Sequence, residues 1–231
     1  FLPEEVYQVV RGWQAGQARS PDGWTASQWR RLPPTAIEAL TDLLNATTRR
    51  GWPSELMQVH TVLIPKRWTG PGLQVDGFRP VSLTTYALRV WSQLVWRRAE
   101  LWLSAVLHKG QSMDAARTAW LQALYFEEAA ATQDSALMWQ ADFAKFFDNL
   151  PPWLDRLLLA QGFPELYARR WGQFLRGCGR RFRYAGAVLG REWSQSNGVL
   201  QGDPLSVLAV WAFQSVLHRA VAARIPRVHM R

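Results

Sequence analysis

Asp142 stands at the end of a short apolar run, Ala136-Leu137-Met138-Trp139, that contains no glycine or proline and reads as a buried strand entering a sheet. A second carboxylate, Asp148, follows six residues later, and Pro151-Pro152 closes the segment. A carboxylate at the end of a buried strand is costly unless a cation compensates it. Oxygen ligands suit a hard divalent ion, so the chemistry suggested here is a carboxylate-held metal such as Mg2+. Asp148 and Asn149 also admit a plainer reading, as the N-cap of a helix whose first turn holds Pro151.

Two further places carry chemistry-bearing residues. Lys66 and Arg79 lie on either side of a Gly- and Pro-rich loop, after an expected strand at 59–64 and within Phe78-Arg79-Pro80. A hairpin would bring the two cations together; otherwise they are ordinary exposed loop cations. The turn-like stretch Ser196-Asn197-Gly198-Val199-Leu200-Gln201-Gly202-Asp203-Pro204-Leu205-Ser206 is the other. Gly202 permits close backbone approach, and the Gln201 amide can hydrogen-bond without adding charge.

The elements that must position these residues are mostly helical. Thr35-Ala36-Ile37-Glu38 has capping-box spacing, Ile37, Leu40, Leu44 and Thr47 line one face with Leu43 beside them, and Gly51 and Pro53 stop the helix. Leu88, Trp91, Val95, Trp102 and Val106 keep a 3.6-residue period over 84–109, which Gly110 ends, and Ser112 caps a following helix to about 131. Helices are expected at 151–161 and 164–176, separated by Gly162. A hairpin follows at 178–193, with Arg181-Phe182-Arg183-Tyr184 as one strand. Pro204 suits the first position of a last helix reaching about 224. Strand, two helices, hairpin, loop and helix make an α+β arrangement. Ser20-Pro21-Asp22-Gly23 is a turn signal near the start.

Composition narrows the partners. The formal charge of +9 is spread over arginine pairs at 30–31, 49–50, 97–98, 169–170 and 180–181, which suits a folded surface able to follow phosphates. Any single pair is equally well a solvated helix face. Cys178 is the only cysteine, so neither a disulfide framework nor a cysteine zinc site is expected. The four histidines are scattered without metal-ligand spacing. The longest apolar run, 207–213, is too short to span a bilayer, and the first residues lack a signal pattern; an intracellular chain with no membrane partner is expected. Fourteen tryptophans are unusual; most fall at helical spacing and suit core packing, while some could stack on bases.

Asp142-x-x-Lys145-x-Phe147-Asp148 and Gly198-x-x-Gln201-Gly202-x-Pro204-Leu205-Ser206 together resemble motifs A and B of reverse transcriptases, especially those of LINE-type (non-LTR) retrotransposons and group II introns. Leu63-Ile64-Pro65-Lys66 and Phe78-Arg79-Pro80-Val81-Ser82-Leu83 resemble the same family's fingers motifs, and Ser20 to Gly23 its PDG element. The resemblance covers nearly the whole chain. It implies a right-hand polymerase fold, with a fingers-like region and connecting helices at 1–132, a partial palm at 133–231, and the thumb absent. It implies an RNA-directed DNA polymerase acting on an RNA template, a DNA primer and a dNTP by a two-metal mechanism with Mg2+ or Mn2+. Asp142 would be the catalytic metal ligand, helped by the Phe143 carbonyl. Lys66 and Arg79 would contact the triphosphate, Phe147 would be the steric gate against a 2′-hydroxyl, and Gln201-Gly202 would lie under the templating base.

Two departures stand out. Asp203 occupies a place that is often small or Cys in LINE-type versions. No Asp or Glu follows Ser206, so the family's aromatic-x-Asp-Asp motif is missing. The chain is therefore expected to be a fragment of a longer polymerase or polyprotein, inactive alone, or a non-catalytic nucleic-acid-binding relic.

Overall fold

A computed structural model describes residues 1–66, 77–107, 115–135, 143, 145–151, 153–194 and 196–225. The expected strand at 136–139, the loop at 67–76, Gly110, Ser112 and Asp142 lie outside the described residues.

The first half is a helical layer leading into a hairpin. Helix α1 (Pro3–Arg11) opens on a proline, accepts no side-chain cap, and buries Val6, Val9 and Val10. A four-residue helix α2 (Ala26–Trp29) is capped by the Thr25 hydroxyl, and α3 (Pro34–Arg50) follows. The capping box expected at Thr35 does not form. Pro34 already occupies the first helical turn with Pro33 at the N-cap, so Thr35 sits inside the helix with nothing to cap. Ile37, Leu40, Leu44 and Thr47 are buried as the period predicts, whereas Leu43 faces solvent.

Strands β1 (Gln58–Pro65) and β2 (Phe78–Thr84) pair antiparallel, with Ile64 opposite Arg79. Helix α4 (Tyr86–Val106) is capped by Thr85, and α5 (Ala115–Ala131) follows it in sequence. A single helical turn α6 (Phe146–Asn149) precedes α7 (Leu154–Ala160) and α8 (Glu165–Gly177), which are separated by a turn where Gly162 has φ +80°. The second hairpin joins β3 (Gly179–Tyr184) to β4 (Ala187–Ser194) through Ala185 and Gly186, both at positive φ. Helix α9 (Pro204–Arg224) closes the described chain and packs most extensively on α4.

One mixed sheet of order β2-β1-β3-β4 ties the two halves together, because β1 pairs parallel with β3. Both the sheet and the hydrophobic core draw on residues from either side of position 132. The architecture is mixed α+β, as expected.

Tryptophans fill much of that core. The fully buried Trp91 donates to the Thr48 hydroxyl at 2.9 Å and meets Trp52 edge-on at 5.3 Å. Trp52 in turn donates to the Arg170 carbonyl. The Arg170 guanidinium caps the end of α3 through the Thr48 carbonyl, so α3 and α8 are linked in both directions.

Helix α9 is longer than the apolar run within it. The uninterrupted apolar run is short, but uncharged residues extend from Pro204 to His218, so the helix as a whole is long and apolar enough to cross a membrane by length and composition. Here Leu205, Leu208, Ala209 and Ala212 are buried against the rest of the core.

Candidate functional site

Lys145 adopts a left-handed conformation (φ 50°, ψ 42°), and its carbonyl accepts the amides of Asp148 and Asn149. That bend starts α6 and turns the chain inward to the buried Leu150. Asp148 and Asn149 therefore lie within a helical turn, and the N-cap position of α7 is Trp153. The N-cap alternative fails because the turn begins before them and α7 begins after Pro151.

Backbone hydrogen bonds dock the glycine-rich loop at 196–203 on this turn. The Gly198 amide donates to the Leu150 carbonyl and the Val199 amide to the Phe147 carbonyl, both at 2.8 Å. Gly198 has φ +82°, and a Cβ there would lie 2.6–2.8 Å from the Phe147 and Asp148 carbonyl oxygens and the Asp148 Cα. No larger residue fits without moving backbone. Val199 and Leu200 then point into the core, holding the loop down.

The other side of the loop meets the hairpin. The Ser82 amide in β2 donates to the Gln201 carbonyl at 2.8 Å, and Gly202 passes so close that a Cβ would sit 3.0 Å from the Ser82 carbonyl. Gln201 Nε2 donates to Asp148 Oδ2 at 3.3 Å. Three segments distant in sequence are thus joined at Gln201: the turn after Asp142, the glycine loop, and strand β2.

Lys66 and Arg79 share one hairpin. The pairing extends past the strands through the Lys66 amide, which donates to the Gly77 carbonyl at 2.8 Å. Because Arg79 faces Ile64, the register places Lys66 one diagonal step along the same face. Both side chains are exposed, on the face opposite to the one that buries Val59, Thr61, Ser82 and Thr84. Arg79 lies three residues up the strand from Ser82, or about 10 Å at the usual rise per residue.

Phe147 is half-buried against the core, with the Phe146 ring edge-on at 6.4 Å. The Phe143 ring is largely exposed and stacks on Phe146 at 5.0 Å, and Phe146 reaches Phe213 of α9. Of the expected site residues, Phe147 meets the loop through Val199, Gln201 reaches the neighbouring Asp148, Gly202 packs on Ser82, and Lys66 and Arg79 lie on the hairpin that carries Ser82.

Beneath the loop lies a polar anchor that the sequence did not reveal. Asp203, just before Pro204, turns inward; its Oδ2 accepts the Trp171 indole N–H at 2.9 Å. Burial pushes its carboxyl above the usual carboxylate range, against the pull of the Ser92 hydroxyl, the Trp171 N–H, the Leu205 amide and the Ser206 hydroxyl. Asp148 also acts electrostatically on a half-buried cation, Arg180. Burial lowers that guanidinium's pKa, while Cys178 and Asp148 raise it. Burial likewise raises the Cys178 thiol. Nothing in the sequence around Asp203 signalled Trp171 as its partner.

The metal expected from the resemblance finds no ligand set among the described residues, where no three His, Cys, Asp or Glu side chains come together. Asp148 faces Gln201, and Asp203 is buried with its own donors. No known protein-family model matches the chain.

Proposed function

We propose that this chain carries the fingers and part of the palm of an RNA-directed DNA polymerase. The observation that carries the reading is the junction at Gln201. Ser82 and Gln201 are separated by more than a hundred residues, yet a backbone hydrogen bond joins them, and the Gln201 side chain reaches Asp148 of a third motif stretch. A resemblance produced by chance would not predict that meeting.

On this reading the 3′-hydroxyl of a primer attacks the α-phosphate of a dNTP, a P–O bond forms, and pyrophosphate leaves. Arg79 and Lys66, on one exposed face, offset the triphosphate charge, Arg by its planar fork and Lys as a point charge. Phe147 abuts the sugar at C2′. Gln201 and Gly202 form an uncharged floor for the base pair. The described carboxylates do not form a metal site, so in this reading Mg2+ or Mn2+ would be held by Asp142 with the Phe143 carbonyl.

The test is extension of a DNA primer on an RNA template by the protein as its gene encodes it, with D142N as control. Extension that D142N abolishes is the expected result. Phe147→Ala should raise ribonucleotide incorporation relative to deoxyribonucleotide. Template binding without extension in the unaltered protein would favour the non-catalytic alternative, and no binding at all would end both.

A further inference from the structure

Away from the fingers hairpin and the glycine loop, α7 and α8 enclose a pocket of about 800 Å³. Four arginines line it (Arg156, Arg169, Arg170 and Arg176) against one aspartate, Asp155. Pockets of about 300–1,000 Å³ are the usual size for bound ligands, and four of the eight side chains that line this one are arginines.

The four arginines divide into two kinds. Arg170 is committed to the carbonyls of Thr48 and Arg49 at the end of α3 and to Gln173. Arg176 pairs with the buried Asp155 at 2.8 Å, and that carboxylate packs so tightly on Gly172 that a Cβ there would overlap it. These two form the fixed wall. Arg156 is exposed and has no ion-pair partner among the described residues. Among the described residues Arg169 pairs only with Glu165, one turn away, and both side chains are about two-thirds exposed. A pair of that kind is worth little in water, so a better anion displaces it. Trp153, 47% exposed, stands at the rim beside them.

We infer that this pocket is a second nucleic-acid contact, which takes single-stranded RNA or DNA with a base stacked on Trp153 and flanking phosphates on Arg156 and Arg169. Charge complementarity selects a polyanion, and the exposed indole selects one that carries aromatic bases over an acidic peptide. Trp153 is one of several tryptophans in the chain, but the deeply buried ones serve the core and leave no face for stacking. The inference does not depend on catalysis at the other site.

The experiment measures binding of a labelled oligouridylate of about twelve nucleotides, and of its deoxy counterpart, by fluorescence anisotropy across a salt series. Trp153→Ala should weaken binding about five-fold or more, as loss of one stacked base does. Arg156→Ala/Arg169→Ala should weaken it and reduce the log–log salt slope by about 1.4, at about 0.7 per single-strand phosphate contact. Both losses should persist in a Lys66→Ala/Arg79→Ala background, which separates this surface from the hairpin face. The substituted residues are exposed, and thermal melts check that the variants stay folded. Unchanged affinity and slope in both folded variants overturn the inference. So does a polyglutamate of equal charge that binds the unaltered chain as tightly as the oligonucleotide. Loss of primer extension without loss of oligonucleotide binding would count against the polymerase reading and leave this one standing.

Discussion

The glycine loop and the β1–β2 hairpin meet at the Ser82–Gln201 hydrogen bond, yet they are held in different ways. The loop is fixed by backbone contacts on both sides, two positive-φ glycines, and a buried Asp203–Trp171 anchor. The hairpin face presents Lys66 and Arg79 to solvent, on a frame whose burial lies entirely on the opposite side. In the loop, position and stability are the same property, so a change that misplaces it also unfolds it. On the hairpin, charge can be removed without touching the core. Mutations in the two regions should therefore separate into folding effects and binding effects.

The largest effect is expected at Gly198. Alanine there meets the backbone of Phe147 and Asp148 and must hold a left-handed φ, so Gly198→Ala should cost about 2–4 kcal/mol in urea unfolding. A loss below about 0.5 kcal/mol, the level of an ordinary surface change, would mean the loop is not anchored by this contact.

Next comes the anchor under the loop. Trp171→Phe leaves the Asp203 carboxylate without its indole donor and should cost about 1–3 kcal/mol. It also has a pH signature. The folded-state pKa of Asp203 is raised, so the folded chain holds its proton more tightly than the unfolded one. The contribution is fully present below the ordinary aspartate value of about 3.9 and is lost as pH rises through the folded-state value. Asp203→Asn should remove that decline, and Trp171→Phe should extend it to higher pH. Identical slopes of stability against pH in the unaltered protein and Asp203→Asn would show that Asp203 is not the group responsible.

Arg79→Ala should leave unfolding almost unchanged and act on ligand instead. In the polymerase reading it raises KM for dNTP by the worth of a charge-assisted contact, about 1.5–3 kcal/mol. An unaltered KM with normal turnover removes Arg79 from the site. The smallest effect is expected for Arg169→Ala, whose exposed pair with Glu165 is worth about 0.3–0.5 kcal/mol at most in a thermal or urea melt.

Legibility in the sequence followed the range of the signal. Helices α3, α4 and α9 and both hairpins could be read because periodicity, Pro204, Gly51 and Gly186 act within a few residues. Thr35 misled because a capping box is a spacing, and Pro34 had already taken the start of the helix. Helix α1, not among the expected elements, is marked by Pro3 and by the spacing of Val6, Val9 and Val10. The parallel pairing of β1 with β3 left no local trace at all. The same holds for the site: Phe147, Gln201 and Gly202 were recognisable as motif residues, but Ser82, Trp171 and Arg180 became relevant only when folding brought them near.

That parallel pairing also has a cost in time. Gln58 lies opposite Gly179, so on the ribosome β1 waits for some 120 further residues before its second edge can be covered. At about 5–20 residues per second the wait is about 6–24 s, far longer than a hairpin takes to form. During that interval β1 and β2 expose an unpaired strand edge bearing Val59, Thr61 and Ile64, the kind of edge through which nascent chains join one another. Yield of this protein in a cell should therefore respond to translation speed and to holding chaperones more strongly than its finished stability alone would suggest.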